Sequence, residues 1–185
     1  MTGSVEILIA DDHALFRKGF GLLLRDLYPG VAIREVAGFD AALDLLAGSP
    51  QVTGAFFDLL MPGMAGPDSI RAVREVYPAL HFAAVTGLED RSLALQVIDA
   101  GANGYILKSS PEQEILRAVN RVMAGETYLP SVLPQTPDAK AAWTPPDVSL
   151  KAEKVADLPL THRQRDVISQ LANGLSNKEI ARQLG

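Results

Sequence analysis

The chain has 185 residues, 48% of them hydrophobic, no cysteine and a formal net charge of −5 at pH 7. That much apolar mass excludes wholesale disorder, and the missing thiols exclude disulfides, thiol catalysis and zinc–thiolate sites. The acidic balance argues against strong nonspecific nucleic-acid binding. No secretory signal and no apolar run of ~20 residues is visible, so the expected location is the cytoplasm, with no membrane partner.

Strand and helix patterns alternate up to about residue 125. Residues 5–10 read as a strand and 14–27 as a helix. Residues 31–36 read as a strand and 41–47 as a short helix. A third strand over 54–57 precedes a helix over 67–76, and a fourth over 80–85 precedes a helix over 92–100. A fifth strand over 104–107 leads into a helix over 111–124. There Ser110 suits the N-cap, Pro111 the first turn, and Gln113 a capping box. Five β-α units predict a parallel sheet with helices on both faces.

Residues 130–159 differ, holding six of the 12 prolines. This is a linker composition, semi-extended and poor in core formers. Trp143 stands out within it, either exposed incidentally or docked on a neighbouring domain. Helical signals return at Thr161, which forms a capping box with Gln164, and Ser176 forms another with Glu179. Asn173-Gly174 ends the first of these helices. Two short helices are too small a core to stand alone. Residues 161–185 hold 4 basic and 2 acidic side chains, against 13 and 20 in residues 1–160. The change of sign hints at a different partner for the tail.

The chemistry gathers at strand ends. Asp11-Asp12, Asp58, Thr86 and Lys108 each follow an apolar run. In a parallel α/β sheet the carboxyl ends of the strands form the ligand-binding edge. Three carboxylates, one hydroxyl and one ammonium should therefore converge. Two carboxylates at ~4 Å repel by roughly 4 kcal/mol at an effective dielectric of ~20, and a cation relieves that. Oxygen ligands favour Mg2+ over zinc. A carboxylate such as Asp58 beside Mg2+ can attack phosphorus and form an aspartyl phosphate. Lys108 offers charge, and Thr86 a hydroxyl, for the phosphoryl oxygens. Any one of these residues alone could be a cap or turn residue. Four of them at four strand ends, with compatible chemistry, argue against coincidence.

These residues resemble those of a bacterial two-component response regulator. The receiver-like motifs are Asp11-Asp12-His13, DLLMPGM at 58–64, Thr86-Gly87 and GYILK at 104–108. They cover residues 5–124. Residues 160–185 resemble the first two helices of a LuxR-type helix-turn-helix, and the combination is similar to the NarL/FixJ family. The resemblance implies an α/β, flavodoxin-like, doubly wound five-stranded parallel sheet over residues 1–128. A Pro/Ala-rich linker would follow over 129–159, then a partial all-α helix-turn-helix over 160–185.

The resemblance also implies roles. Asp58 would be the phosphoryl acceptor. Asp11 and Asp12 would hold Mg2+ together with Asp58 and the backbone carbonyl of Leu60. Lys108 would contact the phosphoryl group, and Thr86 and Tyr105 would form the switch pair. The implied partners are a sensor histidine kinase, DNA and, on phosphorylation, a second copy. Ser109 stands where many receivers have Pro, so a cis peptide is not expected there. The family's recognition helix enters the DNA major groove and is not among these residues. Sequence-specific DNA binding is therefore not expected of the chain as given. Arg163, Arg165, Lys178 and Arg182 would reach phosphates at most, which position without specifying, or would form a solvated helix face.

The implied function is a phosphorylation-controlled regulator of transcription, not a turnover enzyme. The alternative is a receiver that acts through protein contacts without DNA output. A phosphatase of the haloacid dehalogenase type would need an acid where Leu60 stands. A dinucleotide-binding protein would need a Gly-rich turn in place of Asp11-Asp12-His13.

Overall fold

The computed structural model describes residues 6–131 and Leu133. In chain order the elements are β1 (Glu6–Ala10), α1 (Ala14–Leu27), β2 (Ala32–Val36), α2 (Phe39–Gly48) and β3 (Val52–Phe57). They continue with α3 (Pro67–Val76), β4 (His81–Thr86), α4 (Arg91–Asp99), β5 (Gly104–Leu107) and α5 (Glu112–Met123). The strands form one parallel sheet in the order β2-β1-β3-β4-β5. This is the doubly wound, flavodoxin-like sheet that the sequence implied. Trp143 and the two tail helices lie outside the described residues.

The strand sequences suit a sheet covered on both faces. All five residues of β1 are buried, as expected of a central parallel strand. Successive side chains point to opposite faces. Leu8 and Ala10 join a core with Phe39, Leu46, Ile70, Val73, Leu93 and Val97 from α2, α3 and α4. Ile7 and Ile9 join a second core with Phe20, Leu24, Ile115, Val119 and Val122 from α1 and α5.

Right-handed crossovers explain this division. Winding from β1 out to β2 lays α1 on one face. Winding back past β1 to β3, then on to β4 and β5, lays α2, α3 and α4 on the other. The direction reverses between β1 and β3. At such a switch point the loops leave in opposite directions, and a crevice opens beyond the strand carboxyl ends.

Helices α1 and α3 end where the sequence patterns predict, and other bounds move by a few residues. The predicted cap at Ser110 does not form. Helix α5 begins at Glu112 with Pro111 as its N-cap and no side-chain cap. Pro111 holds an extended backbone, φ −55 and ψ 146. Its carbonyl accepts the N–H groups of Glu114 and Ile115 at 2.9 and 3.1 Å. The Ser110 N–H, which a capping box would have paired with Gln113, donates to the Leu107 carbonyl at 3.1 Å. Glu112 and Glu114 place negative charge in the first turn, against the positive end of the helix dipole. Helix α4 has the side-chain cap instead, because the Asp90 carboxylate accepts from the N–H groups of Ser92 and Leu93 at 2.7 and 3.0 Å.

After α5 the chain returns to β5. The Tyr128 N–H donates to the Asn103 carbonyl at 2.8 Å, and its carbonyl accepts the Tyr105 N–H at 3.0 Å. This bridge covers the open edge of β5. The Tyr128 ring is buried with the α1 and α5 side chains, and its hydroxyl donates to Glu114 at 3.0 Å. Burial first, then that hydrogen bond, pushes the Tyr128 phenol up to about 12. Leu133 is buried in the opposite core, so Tyr128 and Leu133 lie on opposite faces of the sheet.

At the amino end of the strands Arg74 ties two connections together, α3–β4 and α4–β5. Its guanidinium donates to the carbonyls of Pro78, Leu80 and Gly101 and to Asn103 Oδ1, at 2.8–2.9 Å. It also rests 4.6 Å from the centre of the Phe82 ring. Burial lowers its pKa from the ordinary arginine value. Among the described residues no helix is long and apolar enough to cross a membrane.

Two stability changes follow from this packing. Arg74→Lys keeps the charge, but a point ammonium cannot serve four divergent acceptors. It is expected to cost roughly 2–3 kcal/mol, read by urea denaturation. A Cβ at Gly104 would meet Val122 Cγ2 at 2.6 Å and Ala83 Cβ at 3.1 Å. Gly104→Ala is therefore expected to cost about 1–3 kcal/mol in the same measurement, as overpacking does.

Candidate functional site

The crevice at the β1/β3 switch point collects the acidic residues. Asp11 follows β1 directly. Its N–H donates to the Val36 carbonyl at 3.1 Å, and its Oδ1 accepts the His13 N–H at 2.8 Å. That local bond is an Asx-type turn, and it launches α1. Asp58 follows β3, and its N–H donates to the Ala10 carbonyl at 2.8 Å, which continues the β1–β3 ladder. Its Oδ1 accepts the Leu60 N–H at 3.1 Å. Both carboxylates are buried, while Asp12 is partly exposed at the rim. One potential ligand atom from each of Asp11, Asp12, His13 and Asp58 lies within 4.8 Å of all the others.

Lys108 enters from β5, two strands from β3 and therefore about 10 Å away. Its N–H donates to the Thr86 carbonyl at 2.9 Å, and its stem crosses the end of β4. A Cβ at Gly87, beside that path, would meet open space. The ammonium lies 2.7 Å from Asp58 Oδ2 and 2.7 Å from Asp11 Oδ2. The Phe16 ring centre is 4.8 Å from it. One cation thus serves two buried anions, with a third anion at the rim.

The balance is incomplete. Asp11 Oδ2 accepts no aligned hydrogen bond although it is buried. The ammonium beside it offsets charge without occupying its lone pairs. A buried carboxylate oxygen left open, beside two more carboxylates, fits a divalent cation with oxygen ligands.

Thr86 and Tyr105 meet on one residue, Leu88. Thr86 ends β4 and is fully buried, and its Oγ1 accepts the Leu88 N–H at 3.3 Å. Tyr105 sits in β5, also fully buried, and its hydroxyl donates to the Leu88 carbonyl at 2.7 Å. Burial raises the Tyr105 pKa far above the ordinary phenol value, and the charges of Asp90 and Asp58 add to that. The hydroxyl therefore stays protonated and can only donate to that carbonyl. The β4–α4 loop is gripped on both sides of Leu88.

The structure brings together Asp11, Asp12, Asp58 and Lys108, with Leu60 in the loop beside them. Thr86 and Tyr105 stand next to this group and converge on Leu88. Arg163, Arg165, Lys178 and Arg182 lie outside the described residues. Three participants were missed in the sequence. Leu88 contributes only its backbone, which leaves no side-chain signal. His13 was quoted within the motif but given no role, although it neighbours the acidic pair. Arg17 stands one helical turn after His13, and its guanidinium donates to the Asp11 carbonyl and lies 3.5 Å from Glu35 Oε2.

Comparisons with known proteins agree with this geometry. Residues 7–120 match the response regulator receiver domain, and residues 158–185 match the bacterial regulatory proteins of the luxR family. The chain is 33% identical over 176 residues to the glycerol metabolism activator of Pseudomonas putida, covering 95% of this chain and 79% of that one. It is also 33% identical over 176 residues to the nitrate/nitrite response regulator protein NarP of Escherichia coli (strain K12), covering 95% and 78%. A LuxR family DNA-binding response regulator from Silicibacter pomeroyi superposes with a TM-score of 0.61 at 28% identity, over 69% of this chain and 98% of that one.

Members of this family generally are not turnover enzymes; their partners are a sensor kinase and DNA. A receiver followed by a LuxR-type helix-turn-helix makes this chain a response regulator of the NarL/LuxR family, which regulates transcription through two-component signalling.

Proposed function

We propose that Asp58 accepts a phosphoryl group from a sensor histidine kinase in a Mg2+-dependent reaction, and that Thr86 and Tyr105 report the change. The observation that carries this reading is the buried Asp58 carboxylate held 2.7 Å from Lys108 among further carboxylates. Asp11, Asp12, Asp58 and the Leu60 carbonyl would hold the cation. When bound, the cation neutralises the acidic crevice and draws charge from the transferring phosphoryl oxygens.

The chain's own residues do the rest. An Asp58 oxygen attacks phosphorus, the O–P bond forms, and the P–N bond to the donor histidine breaks. Lys108 keeps that oxygen in place, and its ammonium then pairs with a new phosphoryl oxygen. The Thr86 hydroxyl turns from the Leu88 N–H to donate to another phosphoryl oxygen. With its N–H released, Leu88 moves and Tyr105 loses its acceptor. Such a local charge change biases a two-state element.

The Tyr105 N–H is already bonded to the Tyr128 carbonyl. The shift can therefore pass into residues 128–133 and so toward the C-terminal region. In this reading residues 1–128 are the receiver, 129–159 the linker and 160–185 part of the helix-turn-helix. Phosphorylation favours a homodimer, and the tail's Arg163, Arg165, Lys178 and Arg182 contact DNA phosphates. The reaction takes place in the cytoplasm.

Two measurements check this. Intact mass after incubation with Mg2+ and acetyl phosphate should show one phosphoryl adduct, absent in Asp58→Ala. An adduct that persists in that variant contradicts the assignment. Lys108→Ala leaves two buried carboxylates without their shared cation. It should lose roughly 3 kcal/mol of stability without divalent cations and recover part of it with Mg2+. A loss that Mg2+ does not touch contradicts the cation site.

A further inference from the structure

We infer that His13 supplies a nitrogen ligand to this cation site, which biases it toward transition-metal ions of the Mn2+ or Co2+ kind over Mg2+. The inference rests on the cation site proposed above and concerns which ion it takes. His13 Nδ1 lies 2.9 Å from Asp12 Oδ1, 3.3 Å from Asp11 Oδ1 and 3.7 Å from Asp58 Oδ2. Octahedral coordination with bonds of about 2.1 Å sets neighbouring donors about 3.0 Å apart and opposite donors about 4.2 Å apart. The three spacings run from that octahedral edge part of the way to the diagonal. The shortest of them is also an imidazole–carboxylate hydrogen-bond distance; it is the convergence of three carboxylate oxygens on one ring nitrogen that fits donors shared around one ion.

The ring is placed by the backbone. His13 is the N-cap residue of α1, with extended φ and ψ and no side-chain cap bond. Its N–H is held by Asp11 Oδ1, which turns the imidazole over the acidic crevice. The side chain is 64% exposed, so it can adjust toward an ion without disturbing packing. Mg2+ prefers oxygen ligands and gives up its waters reluctantly. Imidazole nitrogen suits mid- and late-row divalent ions, so three carboxylates with one imidazole favour those ions.

Carboxylate sites hold Mn2+ more tightly than Mg2+ even without nitrogen, so the effect of removing the ring is the quantity to read. The test titrates the full chain with MnCl2 and with MgCl2 by calorimetry, in the natural sequence, His13→Ala and His13→Asn. Pulsed electron paramagnetic resonance of the Mn2+ complex supplies a direct readout of nitrogen ligation. The expected result is a Mn2+/Mg2+ affinity ratio about tenfold lower in both variants, with Mg2+ affinity little changed. Nitrogen modulation should be present in the natural sequence and lost in His13→Ala.

An unchanged ratio with no nitrogen modulation overturns the inference and leaves the Mg2+ reading standing. That is the result expected if His13 only pairs with Asp12. Equal loss of both metals in the variants overturns it too, since it marks a general electrostatic or structural role. If the natural sequence binds neither ion, both the inference and the underlying cation site are wrong.

Discussion

The Lys108 ammonium, 2.7 Å from both Asp11 and Asp58, is the contact on which the crevice depends. Two carboxylates that close, out of water, cannot both stay ionised without a counter-charge. The sheet order supplies the anions, because β1 and β3 are neighbours where the winding reverses. It also supplies the cation, because β5 lies only two strands away and a lysine stem spans that distance. Small groups at the end of β4, Thr86 and Gly87, leave the path open. Changing the order of the strands would separate these charges, so the topology is part of the chemistry.

One ammonium does not complete the balance. A third carboxylate stands at the rim, and Asp11 Oδ2 accepts no aligned hydrogen bond. The crevice is therefore poised to take up further positive charge. A phosphoryl group raises the negative charge again, which increases the demand on Lys108 and on a bound cation. Leu88 is held by Thr86 on its N–H and by Tyr105 on its carbonyl. Through the Tyr105–Tyr128 backbone bond the same strand reaches the segment that leaves the receiver. Leu88 is thus linked through Tyr105 to the Tyr128 carbonyl.

Much of this was legible in the residues. Short apolar runs ending in Asp, Thr and Lys marked the strand ends, and parallel topology then required them to meet. The bounds of α1 and α3 were readable from apolar spacing and from Pro67. What escaped the sequence depends on partners far along the chain. Ser110 carried a good capping signal, but the extended backbone of Pro111 moved the helix start past it. Asp90 did cap a helix, yet its spacing lacked the acidic third residue of a capping box. The Tyr128 bridge to β5 is a single backbone pairing across some twenty residues, with no periodic pattern to announce it. His13 looked like an ordinary neighbour of the acidic pair until its ring was seen over the crevice.

The account stands or falls on which carboxylate carries the phosphoryl group. Three candidates lie within a few ångströms, and Asp58 is the one with one oxygen bonded to Lys108 and the other to the Leu60 N–H. The direct measurement is to load the chain with acetyl phosphate and Mg2+, reduce the acyl phosphate with borohydride, and map the altered residue by peptide mass spectrometry. The account expects the label at position 58 alone. A label at Asp11 or Asp12, or spread over several acidic residues, would contradict it.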